Sequence, residues 1–246
     1  MLQSWVEIGL YRVSYIKKGN SDSMKSVWSV LSILCLAATV LVATVPTVNI
    51  IDKSVYSEKR FELMSDYAKF HYSLDSAALV SPNMVIIHYT AMPTLELSFK
   101  AFKPDIIPKH RERLSYYGDV NVGAHFLIDK DGSIHQLLPL DMMGRHAIGY
   151  NHKSIGIENV SADGSGLTVR QVSANAKLIA HLHATLPSIK YVFGHHEYMN
   201  QSYPHFKEFH ENDAEYRPSI KLDPGFSFIK ALRAKLKFTY GLEFEK

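Results

Sequence analysis

From Val27 to Val45 the chain reads VWSVLSILCLAATVLVATV, a run with no charged residue. It is long enough to cross the hydrocarbon core of a bilayer as a helix. The alternative is a buried core helix, but a run this long without any polar face is unusual in a soluble domain. Arg12, Lys17, Lys18 and Lys25 precede it, whereas the flank beyond is mixed, with Asp52, Lys53 and Glu58. That asymmetry keeps the N-terminus in the cytoplasm and sends the remainder across the membrane. A cleaved signal starting at Met24 competes with an uncleaved anchor. The lack of a small-x-small site before Pro46 favours the anchor. Residues 1–26 are then a cytoplasmic lead, part of it an over-long start if Met24 is the true one, and 27–45 is the signal anchor or signal peptide. Leu34 before Cys35 does not suit a lipoprotein cysteine.

The 246 residues, 46% of them apolar, suffice for one sizeable core. A net charge of +3 gives no ground for a nucleic-acid partner and is compatible with an anionic polymer. With Cys35 the only cysteine, the chain can build neither an internal disulfide nor a cysteine-based zinc site. Histidine, at 13 copies, turns attention to nitrogen and oxygen ligation.

Residues 46–80 read as a linker containing a helix, with Phe61, Met64, Tyr67 and Phe70 at helical spacing. From 81 to 240 a single domain is expected. MVIIHYT is a buried strand, and LELSFKAF a helix ended by Lys103-Pro104. AHFLIDKDGSIHQLLP is a pair of strands joined through Asp131-Gly132, and SIGIENV is another strand. TVRQVSANAKLIAHLHATLP is a helix with Val169, Val172, Ala176, Ile179 and Leu186 on one face. YVFGHHEY is a strand ending in histidines, and DPGFSFIKALRAKL is the last helix. Such a mixture predicts an α/β domain with a central mixed sheet flanked by helices.

Three residues at element ends could do chemistry: His88 after MVII, His195 after YVFG, and Asp223 at the last helix. Two imidazoles and a carboxylate, with one position left for water, form a recognised catalytic zinc set. Each has a plainer reading too. A histidine at a strand end can be an ordinary satisfied polar group, and Asp223 before Pro224 can be a helix cap. His196 is a rival to His195 that the sequence leaves open. In SIGIE, alternation puts Ile155 and Ile157 on one face and Ser154, Gly156 and Glu158 on the other, with Gly156 leaving room there for a ligand.

The blocks IIHYTA, GAHFLIDKDGSIHQLLP, RHAIGYNHKSIGIEN, FGHHEY and KLDPGFSF resemble, in that order, the zinc-dependent N-acetylmuramoyl-L-alanine amidases. That family includes phage lysozyme-type amidases, bacterial muropeptide amidases and peptidoglycan recognition proteins. The resemblance covers roughly Asn83 to Leu236 and implies a mixed sheet with one zinc ion per chain at the floor of a groove. It implies His88, His195 and Asp223 as ligands, Glu158 as the acidic catalytic residue, and Lys221 beside the third ligand, facing the reacting carbonyl. It implies His146 as a groove histidine contacting substrate, with Asn151 in the same block. Two departures stand out. Ala124 occupies the place of the phage-type catalytic tyrosine, so Glu158 must carry the proton transfers. The connection from His195 to Lys221 is long; it reads either as a loop along the groove rim, with Tyr216 and Arg217 as glycan or peptide contacts, or as a solvated excursion.

The function implied is hydrolysis of the amide between N-acetylmuramic acid and L-alanine in peptidoglycan or its fragments, by a monomer. It would act in the periplasm or cell envelope, tethered to the inner membrane through the N-terminal helix. The alternatives are a non-catalytic peptidoglycan-binding protein, a wall-tethering protein, and a zinc peptidase cutting within the stem peptide. The chain has no H-E-x-x-H helix of the commonest peptidase design.

Overall fold

The computed structural model describes residues 45–246, which form one compact unit. The apolar segment read as an anchor or signal, and Cys35 with it, lies outside the described residues. Among the described residues no helix is long and apolar enough to cross a membrane.

The strands are β1 (Ile50–Asp52), β2 (Met84–Tyr89), β3 (Phe126–Ile128), β4 (Ile134–Gln136), β5 (Ser154–Asn159) and β6 (Tyr191–Gly194). The helices are α1 (Glu58–Tyr72), α2 (Leu95–Phe102), the short α3 (Glu112–Ser115), α4 (Val169–Thr185) and α5 (Phe226–Tyr240). The sheet runs β1-β4-β3-β5-β2-β6. The β3–β4 hairpin is antiparallel, and the other neighbours are parallel. This is the mixed sheet the sequence predicts.

Residues 46–80 are not a separate linker. β1 pairs with β4, and α1 buries Met64, Tyr67 and Ala68 in the main core. Ser57 caps α1 by accepting from the Arg60 N–H at 3.0 Å. Phe70, placed by spacing on the packed face, is 62% exposed.

Alternation divides the sheet into two faces. Val85, Ile87, Ile155, Ile157 and Val192 point into the larger core, where α4 contributes Ile179 and Leu182, and α5 contributes Ile229, Leu232 and Leu236. α4 starts at a reciprocal cap between Thr168 and Gln171. The Gln171 amide also donates to the carbonyls of Ile128 and Val160, fastening the helix to the sheet. Val169, expected on the packed face, is 81% exposed because it stands in the first turn, beyond the edge of the core.

On the opposite face Met84, Ile86, Tyr150, Tyr191, Phe193 and Tyr198 form a second, aromatic cluster. The long connection after β6 packs there and is no solvated excursion. His205 stacks on Phe193 at 3.9 Å, and Phe209 meets Tyr150 edge-on. Further along, Asn212 donates from its backbone to His71 O and from its side chain to Phe70 O and Ser73 Oγ.

Candidate active site

β5, β2 and β6 are parallel neighbours, so their carboxyl ends share one edge of the sheet, the place where open α/β sheets gather functional groups. Register aligns the residues there. His88 pairs with Glu158, and Ile87 pairs with Gly194, so that His195 leaves the sheet beside His88. His88 continues the face of Met84 and Ile86, and Glu158 that of Ser154 and Gly156.

The third component arrives from far along the chain. Asp223 does not cap α5: the cap position is Gly225, without a side-chain bond, and the helix begins at Phe226. The carboxylate turns to the histidines instead. Its Oδ2 lies 3.1 Å from His88 Nδ1 and 3.0 Å from His195 Nδ1, and the two nitrogens are 3.0 Å apart. Among the described residues this is the group of imidazoles and carboxylates that could hold a metal ion.

His196 faces elsewhere. Its backbone N–H donates to the Asp223 carbonyl at 2.8 Å, and its ring Nδ1 lies 3.3 Å from the same oxygen. It grips the backbone of the loop whose side chain meets His195. Tyr198 helps, donating its hydroxyl to Ser219 O at 2.7 Å while its ring meets His195 edge-on.

The protonation pattern of the triangle follows from its surroundings. Burial and the neighbouring His88 lower His195 to about 4, leaving it neutral. Burial pushes Asp223 upward, but the His195 and His88 rings against its Oδ2 outweigh it and hold the carboxyl well below its usual range. On the far side of His88, Ser154 Oγ donates to Tyr150 O at 2.8 Å, which leaves its lone pairs for His146 Nε2 at 3.3 Å. His146, held neutral by burial, then presents a bare Nδ1 to His88 Nε2–H at 3.1 Å. In a singly protonated His88 the Nδ1 lone pair then faces the triangle.

Two ring nitrogens and a carboxylate oxygen thus stand at mutual separations of 3.0–3.1 Å. A divalent cation with nitrogen and oxygen ligands satisfies all three at once. The residues present thus fit a zinc-type ion.

A cavity of about 380 Å³ opens on this group. Glu158 lines it, and among the described residues its buried Oε2 has no hydrogen-bond partner. Burial raises the Glu158 carboxyl to about 7; Asp223 adds to the shift, while His88 and Arg111 oppose it. Lys221 also lines the cavity. Gly156 leaves room, though for His146: a Cβ there would stand 2.8 Å from the ring.

The remaining expected site residues divide. His146 borders the cavity and also orients His88. Asn151 borders it too, but its amide is fully engaged. Its oxygen accepts from the His146 and Ala147 N–H groups, and its nitrogen donates to the Tyr67 and Tyr72 hydroxyls. It fixes the loop that carries His146. Tyr216 reaches the cavity wall, stacked on Tyr117 at 4.1 Å and accepting from Arg145 Nη2. Arg217 is not at the wall: its side chain is 75% exposed and pairs loosely with Glu215 at 3.8 Å. Ser154, Arg111 and Tyr198 went unnoticed in the sequence. Only Ser154 left a trace there, by sharing a strand face with Gly156 and Glu158.

Fold and site together define an α/β protein with a candidate mononuclear His–His–carboxylate centre and a neighbouring unpaired glutamate. The family model described as N-acetylmuramoyl-L-alanine amidase matches residues 79–225, more than half of the chain, and the protein belongs to that family. An endolysin of Enterobacteria phage K11 is 30% identical over 103 residues, 39% of this chain and 65% of the endolysin. The match thus spans less than two thirds of that relative. Among solved structures, N-acetylmuramoyl-L-alanine amidase LysC from Clostridium intestinale URNW is similar at 21% identity and a TM-score of 0.47, over 78% of this chain and 99% of that one. A selenomethionine derivative of AmpD is similar at 25% identity and a TM-score of 0.44, over 63% and 84%.

Proposed function

We propose that the protein hydrolyses the amide bond between N-acetylmuramic acid and L-alanine in peptidoglycan or its fragments, with zinc held by His88, His195 and Asp223. The observation that carries this reading is the His88–His195–Asp223 triangle beside the unpartnered Glu158 in a family of amidases. An ion held there supplies Lewis-acid polarisation of the carbonyl and acidifies water towards a pKa of about 7. Glu158 takes the proton of the attacking water and passes it to the departing amine of L-alanine. A carboxyl near 7 suits both halves of that transfer. Lys221, two residues before Asp223, offsets the negative charge that grows on the carbonyl oxygen. His146 keeps His88 in its ligating tautomer, and Tyr216 forms part of the wall against which the glycan or peptide lies. Since this substrate lies outside the cytoplasmic membrane, the proposal includes export and tethering through segment 27–45.

The test is product analysis by mass spectrometry after digestion of a defined muropeptide by the zinc-loaded protein. Release of an intact stem peptide with a free L-alanine amine supports the proposal, as does loss of cleavage on chelation and its return with zinc. Glu158→Gln should bind zinc normally and lose about 10²–10⁴ of the rate. A cut inside the stem peptide would identify a peptidase. Zinc-loaded protein that binds muropeptide and leaves it intact would identify a binding protein.

A further inference from the structure

A second cleft, of about 760 Å³, shares no lining residue with the cavity at the triangle. It lies beside β1, where Asp52 pairs with Gln136 of β4 and both residues line it. Leu79, Leu137, Leu138 and Met142 are buried and form its floor, while Tyr56 and Val80 stand exposed at its lip. Ala78 bridges Met142, and the Leu79 N–H donates to Asp141 O at 2.7 Å, which fixes the lip that carries Val80. The volume is that of a small-molecule cleft. Asp52, Ser54, Tyr56, Phe61 and Ala78 all precede residue 79, where the family match begins, so one wall is built from chain outside that match.

The donors at this cleft are spent within the protein. Ser54 N donates to Asp52 Oδ1 and Tyr56 N to Ser54 Oγ, both at 3.1 Å, and the Tyr56 hydroxyl donates to Glu58 Oε1 at 2.9 Å. The Gln136 amide nitrogen donates to Leu138 O at 3.1 Å. Acceptors remain: among the described residues, Asp52 Oδ2, Gln136 Oε1 and the Asp141 carboxylate have no hydrogen-bond or ion-pair partner. No lysine, arginine or histidine lines the cleft, and Lys53 lies over the Phe99 ring at 4.3 Å instead. Two carboxylates without a counter-charge repel an anionic ligand and call for one rich in donors. The apolar floor and the ring of Tyr56 call for apolar surface on the same ligand. An N-acetylated pyranose offers both, through its hydroxyls and amide N–H on one side and its C–H face and acetyl methyl on the other. A stem peptide, which carries carboxylates, fits badly.

We propose that this cleft is a second, non-catalytic binding site for uncharged N-acetylated sugar residues of a glycan strand. It holds the polymer while the reaction proceeds at the triangle. The proposal rests on the amidase reading for its substrate and adds a site to it. Polymeric wall occupies both sites at once, whereas a soluble muropeptide is held by the reaction cavity alone. The cleft thereby raises the effective concentration of polymer at the reaction centre. Its loss falls on KM for polymer and leaves kcat and the soluble substrate untouched.

The experiment uses the full zinc-loaded chain and its Tyr56→Ala and Asp141→Lys variants, both changed at exposed positions outside the reaction cavity. Binding is read by calorimetric titration with the N-acetylglucosamine tetramer, and with the glucose tetramer cellotetraose as control. Cleavage is read on polymeric sacculi and on a soluble muropeptide. Wild type should bind the N-acetylated tetramer more tightly than cellotetraose, and each variant should weaken that binding about tenfold or more. KM on sacculi should rise by a similar factor, with the kinetics on the soluble muropeptide as in wild type. Tetramer binding unchanged in both variants overturns the proposal and leaves the amidase reading standing, as does a wild type that binds no tetramer. An equal loss on sacculi and on soluble muropeptide also overturns it. A lysine-rich peptide that displaces the tetramer and binds more tightly would assign the cleft to a cationic peptide instead. Tetramer binding that the variants lose, with neither substrate cut by wild type, upholds the cleft and sinks the amidase reading.

Discussion

His88 Nε2 and His146 Nδ1 lie 3.1 Å apart, with Ser154 Oγ 3.3 Å beyond the other nitrogen of His146. Because Ser154 gives its only proton to the Tyr150 carbonyl, the direction of every hydrogen bond in this line is set by a backbone oxygen. In a singly protonated His88 the line ends at a bare Nδ1. A strand hydroxyl distant from the triangle thereby selects the tautomer of one of its members.

Ser154→Ala cuts that line at its source while changing little volume. Its zinc affinity should fall about 10–100-fold, the usual effect of losing an outer partner of a ligating histidine. Competition with a chelator of known strength measures it. An affinity equal to wild type would mean that the tautomer of His88 is set by something other than Ser154.

Glu158 gives a pH signature of definite sign. Its carboxyl is raised by burial from an ordinary 4.5 to about 7, so between those values the folded state holds a proton that the unfolded chain releases. The folded state is thus penalised as pH rises through the window: nothing below 4.5, and the full cost above 7. The cost is on the order of 3 kcal/mol. Glu158→Gln has no such proton. In chelator-treated protein, the stability difference in favour of Glu158→Gln should grow from pH 4.5 to 7 and then level off, read by urea unfolding at several pH values. A difference independent of pH would place the Glu158 carboxyl in water-like surroundings. In the zinc-loaded protein, kcat/KM should rise with pH while Glu158 gives up its proton.

Much of this arrangement is legible in the sequence because it is local. MVIIHY is apolar at every inward position, the DG turn closes its hairpin, and the alternation of SIGIE assigns Glu158 its face. What escapes is decided by distant partners. Asp223 before Pro224 satisfies every local rule for a cap, and only two histidines more than twenty residues away draw its carboxylate elsewhere. Gly156 signals an approach without naming its cause, which is His146 returning from the preceding loop. Phe70 and Val169 keep helical period, yet both fall where the core has ended. The strand Ile50–Asp52 has no recognisable length or pattern of its own and becomes a strand because β4 offers it an edge.

Lys221→Met removes a charge while keeping much of the side chain's bulk. If Lys221 faces the oxygen on which charge develops, kcat should fall by a factor of about 10²–10³ with zinc affinity maintained. Steady-state kinetics beside a zinc titration separates the two effects. A change confined to KM would assign Lys221 to ground-state binding of the substrate.

The wall residue Tyr216 depends on a buried hydrogen-bonded pair remote from the triangle. His71 Nδ1 lies 2.7 Å from Glu211 Oε1, His71 Nε2 lies 2.9 Å from Tyr117 O, and both side chains of the pair are almost wholly buried. Each ring nitrogen of His71 thus has a buried polar partner, one on Glu211 and one on the Tyr117 backbone. Tyr67 and Tyr216 pack against the ring at 4.0 and 4.9 Å and exclude water from it. Glu211→Ala leaves the buried Nδ1 of His71 without its partner. It should cost about 1–3 kcal/mol of stability, the penalty for leaving a buried polar group without its hydrogen-bond partner. Because Glu211 also anchors the turn at Asp213, three residues before Tyr216, the segment around Tyr216 should become more open to limited proteolysis than the sheet. Unfolding curves and mapped cleavage sites check both expectations. A variant of wild-type stability whose segment 211–217 resists protease would show that the connection is held by its aromatic contacts, with the His71–Glu211 bond contributing little.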